Sequence, residues 1–489
     1  MGIRGGARLS LLIAAIASSA TAGPQPGSPA PAPSSAWTFL AQDTFRVESW
    51  RFFEPHPGGG NPDYHFAANR LLLQVRRAMP RIEFRLAVQH VGLAGLPPLA
   101  SGPGALGTGA LYFDQGGRRR HPQQLYLRYA NLRLKRILPG LDLQVGRQGY
   151  ASGNESVTRE PAIEAVKRQR MDARLIGEFE WSIYQRGYDG VRADWSRDAA
   201  RLTGIVFMPT QGGFAREAGK TMTNVVVAGA TFGLLPSASR PHTDLQAFIW
   251  RYADERLVSG RPDNSGRTAL AADVGITTVG GTAIGAYPAG GGQLDLLGWL
   301  AVQRGRWYGD DHSAVSAAVE AGYQWPRGRW SPWLRAGLSH ASGDADGADT
   351  RHETFFPMLP TVRRFSQTAV YSTMNLDDLF VQALAFPTAA VSLRLDLHRL
   401  WLASATDRWY AGSGATLSQG SNFGYVTRPS NGSTTFGTSV EASAAWTVTR
   451  HWSVNGFAGA LSGGPVVTGT FFGHRLWFVY GETALRIGG

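Results

Sequence analysis

The spacing of the connections between strand-like segments constrains this chain more than any other feature. From Trp37 onward, segments of about ten residues with period-two polarity alternate with connections rich in Gly, Ser or Asp, a strand succession. About eighteen such segments begin near residues 44, 69, 81, 124, 141, 187, 200, 224, 244, 267, 293, 313, 330, 376, 389, 433, 452 and 475. Numbered in order, most connections after odd segments are long, among them 91–122, 149–185, 343–374 and 404–432. Most after even segments are short: Met79-Pro80, Pro326 to Arg329, a break at Pro387, and Thr449 to His451. The stretch 280–292 is an exception, a Gly-rich gap on the short side. Long loops at one end and tight turns at the other are a property of outer-membrane barrels, and an even strand count puts both termini on the short-turn side. A soluble sandwich has no reason to segregate its connections in this way. The expected fold is all-β: a transmembrane antiparallel β-barrel of about 18 strands, with long extracellular loops and short periplasmic turns.

Alternation within segments assigns faces. Val391, Leu393, Leu395 and Leu397 share one side, and Ser392, Arg394, Asp396 and His398 share the other. Ile82, Phe84, Leu86 and Val88 stand likewise against Glu83, Arg85, Ala87 and Gln89. In a barrel the apolar side meets lipid and the charged side lines a wet lumen. Trp50, Trp195, Trp250, Trp307, Trp325, Trp330, Trp401 and Trp477 fall near segment ends, where interfacial girdles sit. At about 16 to 18 strands a barrel leaves an aqueous channel instead of filling itself with side chains.

The N-terminus supplies an address. Arg4 and Arg8, the apolar stretch Leu9 to Ile16 and the small residues Ala20-Thr21-Ala22 predict a signal peptide over 1–22. A Pro-rich lead-in (23–36) precedes the barrel (37–489). No later segment reaches the roughly 18 apolar residues of a membrane helix, so the exported chain is soluble or a barrel. With no cysteine, no disulfide holds it. The net charge is +12, carried almost wholly by arginine, which binds carboxylate and phosphate through paired donors. Export and the lack of any helix-turn-helix, finger or RNA-binding signature exclude nucleic acid as partner.

The segment 146–192 concentrates basic residues. Gly146-Arg147-Gln148 ends a strand, and a polar, helical insert follows from Glu160 to Met171. Its run of Lys167, Arg168 and Arg170 is expected to be a solvated loop face. Then come Arg174-Leu175-Ile176-Gly177, Trp181, Arg186 and Tyr188-Asp189-Gly190-Val191-Arg192. In this order the motifs resemble the alginate export family of outer-membrane porins. Phe45-Arg46-Val47-Glu48, Ala68-Asn69-Arg70, Pro122 to Tyr126, Ser342-Gly343-Asp344 and Thr354 to Thr361 are similar to other parts of that family in the same order. The resemblance covers nearly all of the chain after the leader. It departs at the C-terminus, which ends Leu485-Arg486-Ile487-Gly488-Gly489 without an aromatic residue, and in a longer insert between Gln148 and Arg174.

The resemblance implies an eighteen-stranded barrel with an arginine-lined constriction that conducts an anionic polysaccharide such as alginate, or related anions. Carried over by position, its lumen residues are Arg46, Arg70, Arg147, Arg174, Asp189 and Arg192. Alternation adds Arg128 and Arg394, with Glu48, Asp396 and Glu482 as counter-charges. It also points Arg147 outward from Val145 unless the strand bends at Gly146. The expected partners are an anionic polysaccharide or small anions, outer-membrane lipid and the barrel assembly machinery, and the expected state is a monomer. Asp344, Asp346 and Asp349 have the acidic spacing of a calcium loop, incomplete as a motif. No other cofactor is expected. Asp310-Asp311-His312 would need a second acid–histidine pair to act as a protease, and no nucleophile elbow is present. The expectation is a channel, with a small-anion uptake porin, an outer-membrane hydrolase and a structural or adhesive barrel with a plugged lumen as alternatives.

Overall fold

In lipid every backbone amide must find a partner within the protein, so a chain of half-apolar strands has to close on itself. The computed structural model describes residues 37–100, 109–362, 365–368 and 370–488; the expected signal peptide and lead-in lie outside the described residues. Eighteen strands span. They are β1 (Trp37–Arg51), β2 (Asp63–Ala78), β3 (Ile82–Ala94), β4 (Gln123–Leu138), β5 (Leu141–Gln148), β6 (Tyr188–Arg197), β7 (Ala200–Pro209), β8 (Val225–Leu234) and β9 (Thr243–Asp254). The second half holds β10 (Val274–Ala289), β11 (Gly292–Trp307), β12 (Asp310–Gln324), β13 (Trp333–Ala341), β14 (Leu376–Thr388), β15 (Val391–Trp401), β16 (Thr435–Thr449), β17 (Trp452–Gly463) and β18 (Arg475–Gly488). Each is antiparallel to the next. β18 returns to β1, Leu40 opposite Gly488 and Arg51 opposite Trp477, which closes the barrel. A further strand in the sheet, Arg351–His352, is a two-residue bridge from a loop onto β12.

The lipid face is the apolar face that alternation assigns. Val319, Leu395 and Leu397 are 71%, 51% and 48% exposed, while their neighbours Glu320, Asp396 and His398 are buried inside. Trp325, Trp330 and Trp477 are exposed near strand ends, as a girdle requires. Trp50, Trp250 and Trp307 are not girdle residues: each is buried on the lumen side. Trp250 follows the lipid-facing Ile249 and Trp50 sits three residues past the lipid-facing Val47, so alternation itself turns both inward.

The exception at 280–292 also resolves. β10 runs on to Ala289, and the turn is only Gly290-Gly291, with φ of +50° and +82°. That left-handed pair is the two-residue hairpin geometry glycine favours. The glycines upstream lie within the strand because aromatic rings cover them. A Cβ on Gly280 would lie 2.4 Å from the Phe248 ring, and one on Gly285 would lie 2.4 Å from Tyr287.

Two long loops fold into the lumen. In 149–187, a helix at Pro161–Val166 continues as a π-turn over Lys167–Met171. In 342–375, Leu359 forms a parallel bridge with Ile176. Gly177 N donates to Leu359 O at 2.8 Å, Leu359 N to Leu175 O at 2.9 Å, and Thr361 N to Ala173 O at 2.9 Å. Ile163, Val166, Leu175, Phe355 and Phe356 share one buried cluster with the wall residues Phe248, Trp250 and Trp299. The barrel is therefore packed at mid-height by its own loops.

Candidate functional site

Inward positions on many strands carry arginine, and the structure separates them by how their charge is answered. Arg46 Nη2 meets Glu482 at 2.6 Å and Arg46 Nη1 meets Glu48 at 3.4 Å, the counter-charges expected for it. Arg128 is paired with Glu178 and also donates to the Arg186 carbonyl. Its inward aim is the one alternation assigns, following the outward Leu125 and Leu127; a register shift between Ala87 and Val88 then turns Tyr129 to the same side. Arg192 pairs with Asp194 at 2.9 Å, and Arg394 with Asp396 at 2.5 Å.

Arg70 and Arg174 differ. Among the described residues neither forms an ion pair with a carboxylate. Arg70 donates to the Ser182 carbonyl at 3.5 Å. Arg174 lies over the rings of Trp299 (4.3 Å) and Phe365 (4.8 Å) and reaches the Arg170 carbonyl at 3.4 Å. Burial pulls its guanidinium down to about 10, since removing water disfavours the charged form. Arg174 lines two small cavities, each of about 10 Å³, one toward Phe248 and Trp250 and one toward Ser316 and Phe355. A space of that size holds about one water.

Arg147 and Asp189 leave the lumen. Arg147 stands opposite Asp189 in register, as the lipid-facing Val145 stands opposite Val191, so both lie on the outward face. No bend at Gly146 reverses them, although its φ is +109°. They pair at 2.7 Å and are covered by loop 210–224: Arg147 donates to the Gly219 carbonyl at 2.7 Å, and Thr221 donates to Asp189.

Lys167 and Arg170 move the other way, from the expected solvated face to the buried interior. Arg170 meets Glu320 at 2.9 Å, and Arg335 meets both Glu320 and Asp295. These two arginines and two acids form a closed, neutral network that clamps the inserted loop to β11, β12 and β13. Lys167 lies 3.6 Å from both Glu164 and Asp244. Alternation had a signal for Arg335 and Asp295, each flanked by lipid-facing leucine on one side or both. The contact with Arg170 has none, because the partners are 150 residues apart.

At the periplasmic end a polar cavity of about 490 Å³ is lined by Arg133, Asp142, Arg192, Asp194, Arg201 and Thr203. At the outer end, Asp344, Asp346 and Asp349 each accept a backbone N–H of their own loop. Burial, then the Asp407 carboxylate, pushes Asp344 up to about 6. Among the described residues these three do not converge as ligands for one ion; the one set that does is Asp396, His398 and Glu441. Asp310 is held by Arg261 and Arg267, and His312 stacks on His352, so neither is poised as a free catalytic group.

A family model for alginate export matches residues 118–474. The chain belongs to the alginate export family. No curated protein matches it. Solved structures similar to this family member include Pseudomonas aeruginosa OccK9 (OpdG), with TM-score 0.57, 10% identity and coverage of 93% of this chain and 98% of that one. Acinetobacter baumannii OccAB1 gives TM-score 0.56 at 7% identity, over 92% and 96%. Pseudomonas aeruginosa OpdK, solved with vanillate, gives 0.54 at 10% identity, over 92% and 99%. At these identities the likeness is one of fold. Family and fold together make the protein an outer-membrane channel.

Proposed function

We propose that this alginate-export channel is selective for anions and passes an anionic polysaccharide, alginate or a related uronate polymer. The observation that carries this is Arg174: a buried guanidinium in the lumen that, among the described residues, forms no ion pair with a carboxylate and feels Glu320 and Asp378 only at longer range. Burying an unpaired charge costs several kcal/mol, a cost that makes sense where a passing carboxylate supplies the partner. Arg70 offers a second such point, and the paired arginines Arg46, Arg128, Arg192 and Arg394 add weaker ones. Several spaced sites let a polymer leave as readily as it enters. Cavities of about 10 Å³ beside Arg174 do not admit a sugar ring, so passage requires the two joined loops to part from the wall. Each chain closes its own barrel, and the working unit in this reading is a monomer.

A small-anion uptake porin is the second reading. It is favoured by the likeness to OpdK, which was solved with vanillate, and it uses the same arginines. Efflux from proteoliposomes loaded with oligouronates or with neutral oligosaccharides of equal length separates the possibilities. The polysaccharide reading expects faster uronate efflux. Efflux of small aromatic acids without uronate efflux would support the second reading, and equal rates for charged and neutral sugars would refute both.

A further inference from the structure

On the wall against which residues 366–368 pack, three buried acids and a histidine meet on three adjacent strands. Asp378 belongs to β14, Asp396 and His398 to β15, and Glu441 to β16. None is more than 4% exposed. One ring nitrogen of His398, one oxygen of Asp396 and one of Glu441 lie within 4.8 Å of one another. Among the described residues, the only guanidinium paired in this set is Arg394, on Asp396. With His398 against Asp378 and Arg394 against Asp396, Glu441 has no ion-pair partner among the described residues, and a protein interior does not hold such a buried charge without compensation.

The surroundings of each group are those of a ligand already held in place. His398 Nδ1 lies 2.9 Å and 3.0 Å from the two oxygens of Asp378. A proton on Nδ1 donated to that carboxylate leaves the Nε2 lone pair for another partner, and Nε2 is buried with none. Gln382 Nε2 donates to Asp396 at 2.8 Å, which orients that carboxylate, while Gln382 Oε1 is likewise buried and unpartnered. Glu441 accepts from Gln367 N at 2.6 Å and from the Ser366 hydroxyl at 2.5 Å. A carboxylate behind the histidine and hydrogen bonds behind each acid are the arrangement that fixes ligands around a metal ion.

We propose that Asp396, His398 and Glu441 form a divalent transition-metal site, with Gln382 Oε1 available as a further oxygen and Asp378 as the positioning residue. One imidazole nitrogen with carboxylate oxygens suits zinc or manganese better than calcium, which takes oxygen ligands alone. The bound ion would offset the excess negative charge. Through Glu441 it would also fasten residues 366–368 of the inserted loop to the wall. The site does not depend on the identity of the transported solute.

The test is calorimetric titration of the refolded, chelator-treated full-length mature chain in detergent, with ZnCl2, MnCl2 and CaCl2 in separate runs. The expected result is a single Zn²⁺ or Mn²⁺ site and far weaker Ca²⁺ binding. Asp378→Asn keeps every ligand and should weaken binding about 10- to 100-fold. His398→Ala should abolish it. His312→Ala, in the buried histidine pair elsewhere, should leave it unchanged. Absence of binding in the parent protein, or binding unaffected by both Asp378→Asn and His398→Ala, would overturn the site. Should His398→Ala fail to refold, Asp378→Asn decides. Anion selectivity is measured separately in chelator, so loss of the metal site and loss of the channel reading give different results.

Discussion

Neutralising Arg174 should reduce anion preference, while neutralising Arg147, from the same family-like segment, should not. Arg174 is buried in the lumen without an ion-pair partner among the described residues, whereas Arg147 lies on the outer face, bound to Asp189. A monovalent anion about 4 Å from a guanidinium gains about 1 kcal/mol at the dielectric of water and about 4 kcal/mol at an effective dielectric of 20. The lower figure alone corresponds to about a fivefold change in the chloride-to-potassium permeability ratio. Arg174→Gln should therefore lower that ratio at least about fivefold, and Arg147→Gln should leave it unchanged. Removing an unpaired buried charge does not threaten the fold, so Arg174→Gln should refold normally. The parent channel adds a pH signature. Burial holds Arg174 down to about 10, below its unfolded value, so its charge is present at neutral pH and is lost as pH rises through about 10. Burying that charge costs stability below pH 10, and the cost is relieved above it. Anion preference should fall across that range in the parent and not in Arg174→Gln. Reversal potentials across a salt gradient read both effects. Equal selectivity in Arg174→Gln and the parent, or a loss in Arg147→Gln as large as that in Arg174→Gln, would refute the assignment.

Other consequences are open to direct measurement. A side chain on Gly177 would place its Cβ 2.3 Å from Thr361 Oγ1 and 2.5 Å from Ala173 Cβ; Gly177→Leu should separate the two inserted loops and raise single-channel conductance in a barrel of unchanged heat-modifiable gel mobility. Asp344 is raised to about 6 in the folded loop, so the stability it contributes is complete below its unfolded value of 3.8 and is lost as pH rises through 6. Loop 342–375 should then resist protease better at pH 4 than at pH 8, and Asp344→Asn should flatten that difference. Leu395 faces lipid at 51% exposure; Leu395→Lys should cost about 2–4 kcal/mol if it lies near the bilayer midplane, measured by urea titration in vesicles. Arg70→Glu combined with Arg394→Glu should weaken anion preference, and an unchanged permeability ratio would remove both from the lumen set.

The barrel was legible because membrane closure imposes two periodicities on the sequence: two residues across a strand and long against short connections along it. Each of the eighteen expected segments corresponds to an observed strand, but the first two strands start six or seven residues earlier than expected, the tenth starts at Val274 and not near 267, and residues 280–289 are strand where a gap was expected. There Gly280 and Gly285 have the composition of a turn, while their function is to leave room for Phe248 and Tyr287. Alternation also foresaw that Arg147 points outward, against the family-based position. What the sequence could not convey is the content of the lumen. Lys167 and Arg170 look like any solvated basic run until Asp244 and Glu320, far away in the chain, are seen to meet them. Loop insertion turns inward tryptophans such as Trp250 from channel lining into a packed core. The cluster around His398 was visible only as separate inward residues, because Glu441 and Asp378 come from neighbouring strands whose register the sequence does not fix.

The most direct measurement is the reversal potential of the refolded channel in a planar bilayer across a potassium chloride gradient, with oligouronate then added to one side. An arginine-lined conduit for acidic polysaccharide gives a potential of anion-selective sign and a current that the uronate blocks. A potential of cation-selective sign, or a conductance indifferent to charge and to uronate, would contradict it.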